Sequence, residues 1–422
     1  MILENNNQKI EYTLNDYINE CPEVKTTIHW YNLYGGHYID LDKDFQKKLF
    51  GKAIRKAGNY SELGRTLNIC RKTISSCSKG TSSTQIKIIF KIANYVNHRL
   101  EDINNKIMQI SGLKPKLPFQ INNKDGAEIR AAFLSDGHID KHQTSPAQYC
   151  AGEKELHERL IRLCQEIFGK FETKTYFNNG SYITKFPAVI GKALELSGVP
   201  RGDKRLANPY LPKDILLGDE EIKTSYLRRI FDDEGDVCFD KHGKRAVRVT
   251  RSTNIGNLNI DIPSERWIRF QLPNYIRQNL LFGEQLLLLK LGIDAKLYSE
   301  GVYKSKNGNL TAKWRIQIGQ QDQLKRFATL IGFNLIRKRN KLEEIINSYQ
   351  FRKLPNGKSK EEALEFITKI VKVKGFFIYS DLAKEIVKIG RSYDSAGKYI
   401  KFFLEQKIIR KLKRGVYTFD TN

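Results

Sequence analysis

The chain has 422 residues, with 72 Lys and Arg against 47 Asp and Glu, giving a formal net charge of +25 at pH 7. Charged residues at 28% beside hydrophobic ones at 40% exclude wholesale disorder, and the length suggests about three domains. The charge excess points to a polyanionic partner, nucleic acid first, and no membrane partner is expected, since the most apolar stretch, LLFGEQLLLLKLGI, contains Glu284 and Lys290 and is too short to span a bilayer.

Residues 1–113 read as a helical domain, with apolar residues at helical spacing. Within it SELGRTLNICRKTISSCSKG has helix-turn-helix form. Leu63, Leu67, Ile69 and Ile74 supply the apolar positions, and Gly64 is the small residue where two helices approach. The second helix turns Arg71, Lys72, Thr73, Ser75 and Ser76 outward, toward phosphates and base edges. A polar link, LKPKLPFQINNKDG, follows, and Pro115 and Pro118 discourage helix there.

Residues 125–220 and 221–350 echo each other. Ile129–Gly137 (IRAAFLSDG) and Leu227–Gly235 (LRRIFDDEG) are each helical in pattern, end in an acid and a glycine, and run into a strand. Asp136 and Glu234 lie 98 residues apart, room for one αββαββα unit, so the chain reads as an internal repeat of two paired halves. The glycines are expected to be left-handed helix stops. Both acids then sit at carboxyl ends, where the helix dipole disfavours negative charge. Packed side by side they repel, and divalent cations relieve both costs. Oxygen ligands suit Mg²⁺, and Mn²⁺ is the alternative; paired ions activate water and stabilise the leaving oxygen of a phosphodiester. One Asp-Gly alone is an ordinary helix stop; two in register are not.

The strands alternate as a half-solvated antiparallel sheet does. Lys313, Arg315 and Gln317 share one face opposite Trp314, Ile316 and Ile318, and Arg269 and Gln271 oppose Ile268 and Phe270. Arg and Gln on such a face can read guanine and adenine edges. Residues 360–422 return to helices. In SDLAKEIVKIG, Ser380 is expected as the cap, with Asp381 in the first turn. YDSAGKYIKFFLEQ gives a second helix, and KIIRKLKRGVYTF two strands around Arg414-Gly415, together a winged-helix-like domain. Lys398, Lys401, Lys411, Lys413 and Arg414 would face phosphate.

Residues 125–350 resemble the LAGLIDADG homing endonucleases in their monomeric two-motif form. The two motif helices and the stretches LSGVPRGDK, LLLLKLGIDAKLY and WRIQIGQQDQLKRFATLIGF carry the likeness. The resemblance implies an α+β fold: two pseudo-symmetric αββαββα halves, here flanked by a helix-turn-helix domain and a winged-helix-like one. It also implies saddle-shaped sheets on duplex DNA and catalytic metal held by Asp136 and Glu234. Lys185 and Gln271 are the residues expected to organise water near the metals. Arg229 stands where close helix packing calls for a small residue, as Ala131 does in the first motif. The expected function is site-specific double-strand DNA cleavage by a monomer. The alternatives are a non-cleaving transcription regulator and a group I intron maturase that binds structured RNA.

Six cysteines (Cys21, Cys70, Cys77, Cys150, Cys164, Cys238) show no paired C-x-x-C spacing. They read as reduced, neither zinc ligands nor a disulfide framework. With no secretory leader in sight, a cytoplasmic, nucleoid-associated location is expected. An intein is not expected, since no splice-junction nucleophile or terminal His-Asn is present. His138 and His142 lack metal-binding partners at ligand spacing, and neither a phosphate-binding glycine loop nor a nucleophile elbow is found.

Overall fold

The computed structural model describes residues 14–80, 82–239, 245–256, 278–304, 309–349, 358–389, 391 and 393–420. It divides into two units, Met1–Gly235 with Val249–Ile316, and Asp236–Arg248 with Gln317–Asn422.

In the first unit a short helix, Leu14–Glu20, precedes α1 (Lys43–Ala57), α2 (Tyr60–Leu67), α3 (Arg71–Ser78) and α4 (Ile86–Tyr95). Side-chain caps start α1 and α2: Asp42 accepts from the Phe45 amide at 2.9 Å, and Asn59 from Ser61 and Glu62 at 2.8 and 2.9 Å. Helices α2 and α3 meet across Gly64, where an added Cβ would lie 2.8 Å from the Ile69 carbonyl. Asn68, with φ of 51°, turns the chain between them. Leu63 and Ile74 are buried, which gives the helix-turn-helix form. The domain also holds a sheet that helical periodicity did not announce: β1 (Tyr38–Leu41) lies between β2 (Thr84–Gln85) and β3 (Ile107–Ile110). The polar link contains no helix before Lys124, where α5 starts, but it is stitched in. Lys114 pairs with Lys170, and Phe119–Gln120 pair with Thr27–Ile28.

The two central halves have one plan. The first runs α5 (Lys124–Leu134), β4 (Gly137–His138), β5 (Ala147–Ala151), α6 (Lys154–Phe168), β6 (Thr175–Asn178), β7 (Ser181–Phe186), α7 (Ala188–Leu196). The second runs α8 (Glu220–Glu234), β8 (Gly235–Phe239), β9 (Arg245–Gly256), α9 (Asn279–Lys290), β10 (Lys296–Lys304), β11 (Leu310–Ile318), α10 (Gln321–Leu330). Strands lie in the order β4-β5-β7-β6 in one sheet and β8-β9-β11-β10 in the other, the same permutation twice. Asn123 and Asp219 cap α5 and α8, each accepting an amide at 2.8 Å. Every residue of α5 from Gly126 to Leu134 is buried, and α5 packs along α8. Burial on all sides is what a central helix requires.

Two expectations at the motif ends need correction. Helix α5 stops at Leu134, so Asp136 lies just beyond it, whereas Glu234 is the last residue of α8. Neither glycine is left-handed; Gly235 has φ −71° and ψ 139°, an extended conformation. They are needed because the strand leaves hard against its own helix. A Cβ at Gly137 would lie 2.4 Å from Phe133 Cα, and one at Gly235 2.2 Å from the Phe231 carbonyl oxygen.

In the second unit, Arg245 donates to Ser348 Oγ at 2.8 Å and stacks on Tyr349 at 4.9 Å. After α11 (Ile336–Asn347) come α12 (Lys358–Lys374), β12 (Phe377–Ile378), α13 (Tyr379–Lys388), α14 (Ser395–Glu405), β13 (Ile409–Lys413) and β14 (Val416–Phe419). The strand order is β12-β14-β13, over a core that includes Ile367, Leu382, Ile386, Ile400 and Phe403. Ser380 is not the cap expected of it. It lies inside the first turn, and Asp381 accepts the Ile378 amide at 3.4 Å.

Candidate functional site

Where α5 and α8 end, four acids and three bases are drawn together, and their partners sort them. Asp233 is fully engaged: Ser135 Oγ and Tyr149 OH donate to it at 2.5 and 2.7 Å, and Arg229 Nε lies 3.1 Å away. Glu234 Oε1 accepts from Arg251 Nη1 at 2.8 Å. Arg251 also binds the buried Glu284, Nη2 at 2.9 Å and Nε at 3.3 Å, and its Nη1 reaches the Leu134 carbonyl at 3.3 Å. Asp136 differs. Among the described residues no donor is hydrogen-bonded to its carboxylate.

The electrostatics follow from that sorting. Burial, with Asp233 and Glu234 alongside, pushes the Asp136 carboxyl up to about 7. Burial also raises Glu234 to about 7, against the pull of Arg251. Lys204 completes the cluster. Its ammonium donates to the carbonyls of Ser135, Gly137 (2.8 Å) and Phe133 (3.3 Å), and burial brings it down to about 8. A cavity of about 260 Å³ opens here, lined by Ser135, Lys204, Arg205, Glu234, Arg251 and Gln278.

Arg229, the residue of the wrong size for close helix packing, is wholly buried. Besides Asp233 it meets Glu128 of α5 at 4.0 Å and lies 4.8 Å over the Tyr149 ring. Glu128 in turn binds Arg159 at 2.5 and 2.6 Å. A ladder of charges therefore joins α8 to the first half where small residues were expected.

The other site candidates fall elsewhere. Lys185 is exposed on β7, with its ammonium 5.7 Å from the Tyr176 ring; the lysine beside the acids is Lys204. Arg269 and Gln271 lie outside the described residues. Lys313, Arg315 and Gln317 are half-buried on one face of β11, opposite the buried Ile316 and Ile318. Glu300 holds both cations of that row, Arg315 at 2.5 Å and Lys313 at 3.7 Å. Arg71, Lys72 and Ser76 are exposed on α3, with Thr73 and Ser75 half-buried. Lys398, Lys401, Lys411, Lys413 and Arg414 are all exposed.

Residues 221–332 match the family model of the LAGLIDADG-like domain. The matched residues run from α8 to α10 of the second half. The same strand order in both sheets gives the first half the plan of the segment that matches the family model. A curated relative, the replication factor C small subunit of Methanocaldococcus jannaschii, is 26% identical over 288 residues, 67% of this chain. The chain spans 13% of the length of that relative. Among solved structures, I-DmoI in complex with DNA and Mn is 13% identical, covering 50% of this chain and 98% of that one, with a TM-score of 0.31. Full-length DUF199/WhiA from Thermatoga maritima is 12% identical, covering 69% of this chain and 93% of that one, with a TM-score of 0.33.

Lys204 and Arg251 were missed by sequence reasoning. Lys204 ends the stretch LSGVPRGDK, which drew notice only as a block. Arg251 carried a subtler signal: Val249, Arg251 and Thr253 alternate inward on β9, and a lone arginine on an inward face needs a buried acid.

Proposed function

We propose that this protein is a site-specific DNA endonuclease that hydrolyses both strands of a duplex with divalent metal, Asp136 and Glu234 being its acids. The observation that carries this reading is the half-buried Asp136 carboxylate, without a donor among the described residues, beside a second acid at the paired ends of α5 and α8. Carboxylates so placed invite a hard cation. Among the described residues no group of three or more His, Cys, Asp or Glu forms a ready-made metal cage. A pair of carboxylates suits Mg²⁺ or Mn²⁺, ions that commonly complete their shells with water and substrate phosphate. Bound there, such an ion supplies Lewis acidity and a water of lowered pKa.

The chain's own groups do the rest. Asp233, saturated by Ser135, Tyr149 and Arg229, fixes the ends of the two helices against each other. Lys204, with a pKa near 8, is suited to moving a proton at neutral pH. The exposed cations of α3 and of the β13–β14 hairpin lengthen the footprint on phosphate, and Gln317 with Arg315 offers base-edge contacts.

A second reading, a regulator that binds DNA without cutting, is favoured by the Arg251 ion pair, which already neutralises Glu234. One experiment separates them. The tightest duplex selected from a random pool is incubated with the protein, with and without Mg²⁺. Breaks at fixed positions on both strands, lost in Asp136→Asn and Glu234→Gln while binding persists, are expected. Tight, specific binding that leaves both strands intact establishes the regulator.

A further inference from the structure

Asp136 and Glu234 hold matching places in the two halves but not matching surroundings. The Asp136 carboxylate has no hydrogen-bond donor among the described residues, whereas Glu234 Oε1 is taken by Arg251 at 2.8 Å. Arg251 is no loose surface cation. It is buried, and three further contacts, two to Glu284 and one to the Leu134 carbonyl, fix its plane. Swinging it away from Glu234 would also weaken its hold on Glu284, which is 1% exposed. A guanidinium keeps its charge at any ordinary pH, so a divalent cation at Glu234 would be repelled by the group already there. Among the described residues no cation hydrogen-bonds Asp136: Arg229 and Lys204 act on it only through space, and Lys204 spends its donors on backbone carbonyls.

We infer that the two half-sites are unequal: Asp136 takes a divalent cation, and Glu234 keeps Arg251 in place of one. The inference rests on the endonuclease reading and deepens it. Each cut remains a hydrolysis. A water oxygen bonds to phosphorus, one P–O ester bond breaks, the departing sugar oxygen gains a proton and the new phosphate loses one. With one half-site bearing metal and the other a guanidinium, the two strands are cut at different rates, and nicked duplex accumulates before the double-strand product.

Mn²⁺ titration of the full-length protein, followed by electron paramagnetic resonance, tests this without relying on cleavage. One strong site is expected, weakened about 10-fold or more by Asp136→Asn and changed by less than about 2-fold by Glu234→Gln. The pair Arg251→Gln/Glu284→Gln removes the guanidinium and its buried counter-ion together. It should gain a second Mn²⁺ site that disappears when Glu234→Gln is added. Two ions of equal affinity in the wild type, or equal weakening by Asp136→Asn and Glu234→Gln, overturn the inference. If two equal ions bind and the duplex is still cut, the endonuclease reading stands without it. If no Mn²⁺ binds and no strand is cut, both fall.

Discussion

Asp136 sets the sharpest expectation for a single residue. Its folded pKa, about 7, lies above that of an unfolded aspartate, about 3.9. Between those values the native state holds more protons than the unfolded one. Stability from this group is therefore lost as pH rises and is fully lost above about 7. Asp136→Asn should accordingly be more stable than the wild type, by a margin that grows from pH 5 to pH 8 and then levels, reaching about 3 °C or more in Tm. Mg²⁺ should close that gap at pH 8 by raising the wild type alone. Thermal melts of the two proteins across that range check it, and a margin independent of pH would show that Asp136 is not strained. The acids were legible in the sequence because a repeat announced them. Lys204 and Arg251 were not, since each reaches its partners only through long-range folding: Lys204 sits on a four-residue helix, and Arg251 binds acids on two different helices.

Among the elements, the helix-to-strand steps at Gly137 and Gly235 leave no room for a Cβ. At Gly235 the atom in the way is a backbone carbonyl, which cannot swing aside as a side chain can. Gly235→Ala should cost about 2–3 kcal/mol, as overpacking in a fixed core does. Gly152→Ala, where an added Cβ meets nothing within 4 Å, should be close to neutral. Urea unfolding of the two variants compares them; similar midpoints would mean that the strand has room to move. The glycines were legible as special positions, but their reason was not. A left-handed stop and a steric gap are written with the same letter, and only the path of the strand separates them. Arg229 was legible only as a breach of the small-residue rule: Asp233 lies four residues on in the same helix, but Glu128 and Tyr149 come from elements that local pattern cannot bring to it. Alternation at the end of β11, where Ile316 and Ile318 are buried and Arg315 and Gln317 half-buried, was legible, since a period of two is a local property; Trp314, expected on the apolar face, is half-buried like its neighbours.

For the molecule as a whole, the helices at either end were legible from apolar periodicity, whereas the three-stranded sheet within residues 38–110 was not. The stitching of residues 114–120 to distant strands was not, because two-residue pairings leave no periodic trace. Under the proposed function, a net charge of +25 implies DNA affinity that falls steeply with salt. A chain ending at residue 350 loses the core of α12–α14 entire and with it five exposed cations of the footprint: Lys398, Lys401, Lys411, Lys413 and Arg414. Its log–log salt slope should be shallower by about 0.9 for each phosphate these residues contact. Fluorescence anisotropy at several salt concentrations measures the difference, and an unchanged slope would assign the domain to some partner other than DNA.

The buried ladder between α5 and α8 also governs which halves can marry. Glu128, Ser135 and Tyr149 come from the first half, Arg229 and Asp233 from the second. Two second halves brought together would bury two guanidiniums and two aspartates with neither Glu128 nor Tyr149 to receive them. Two first halves would set Ala131 where Arg229 now fills space. Each half is thus a poor mate for its own copy and a good one for its sibling, which guards against like halves of two chains pairing while both are being made.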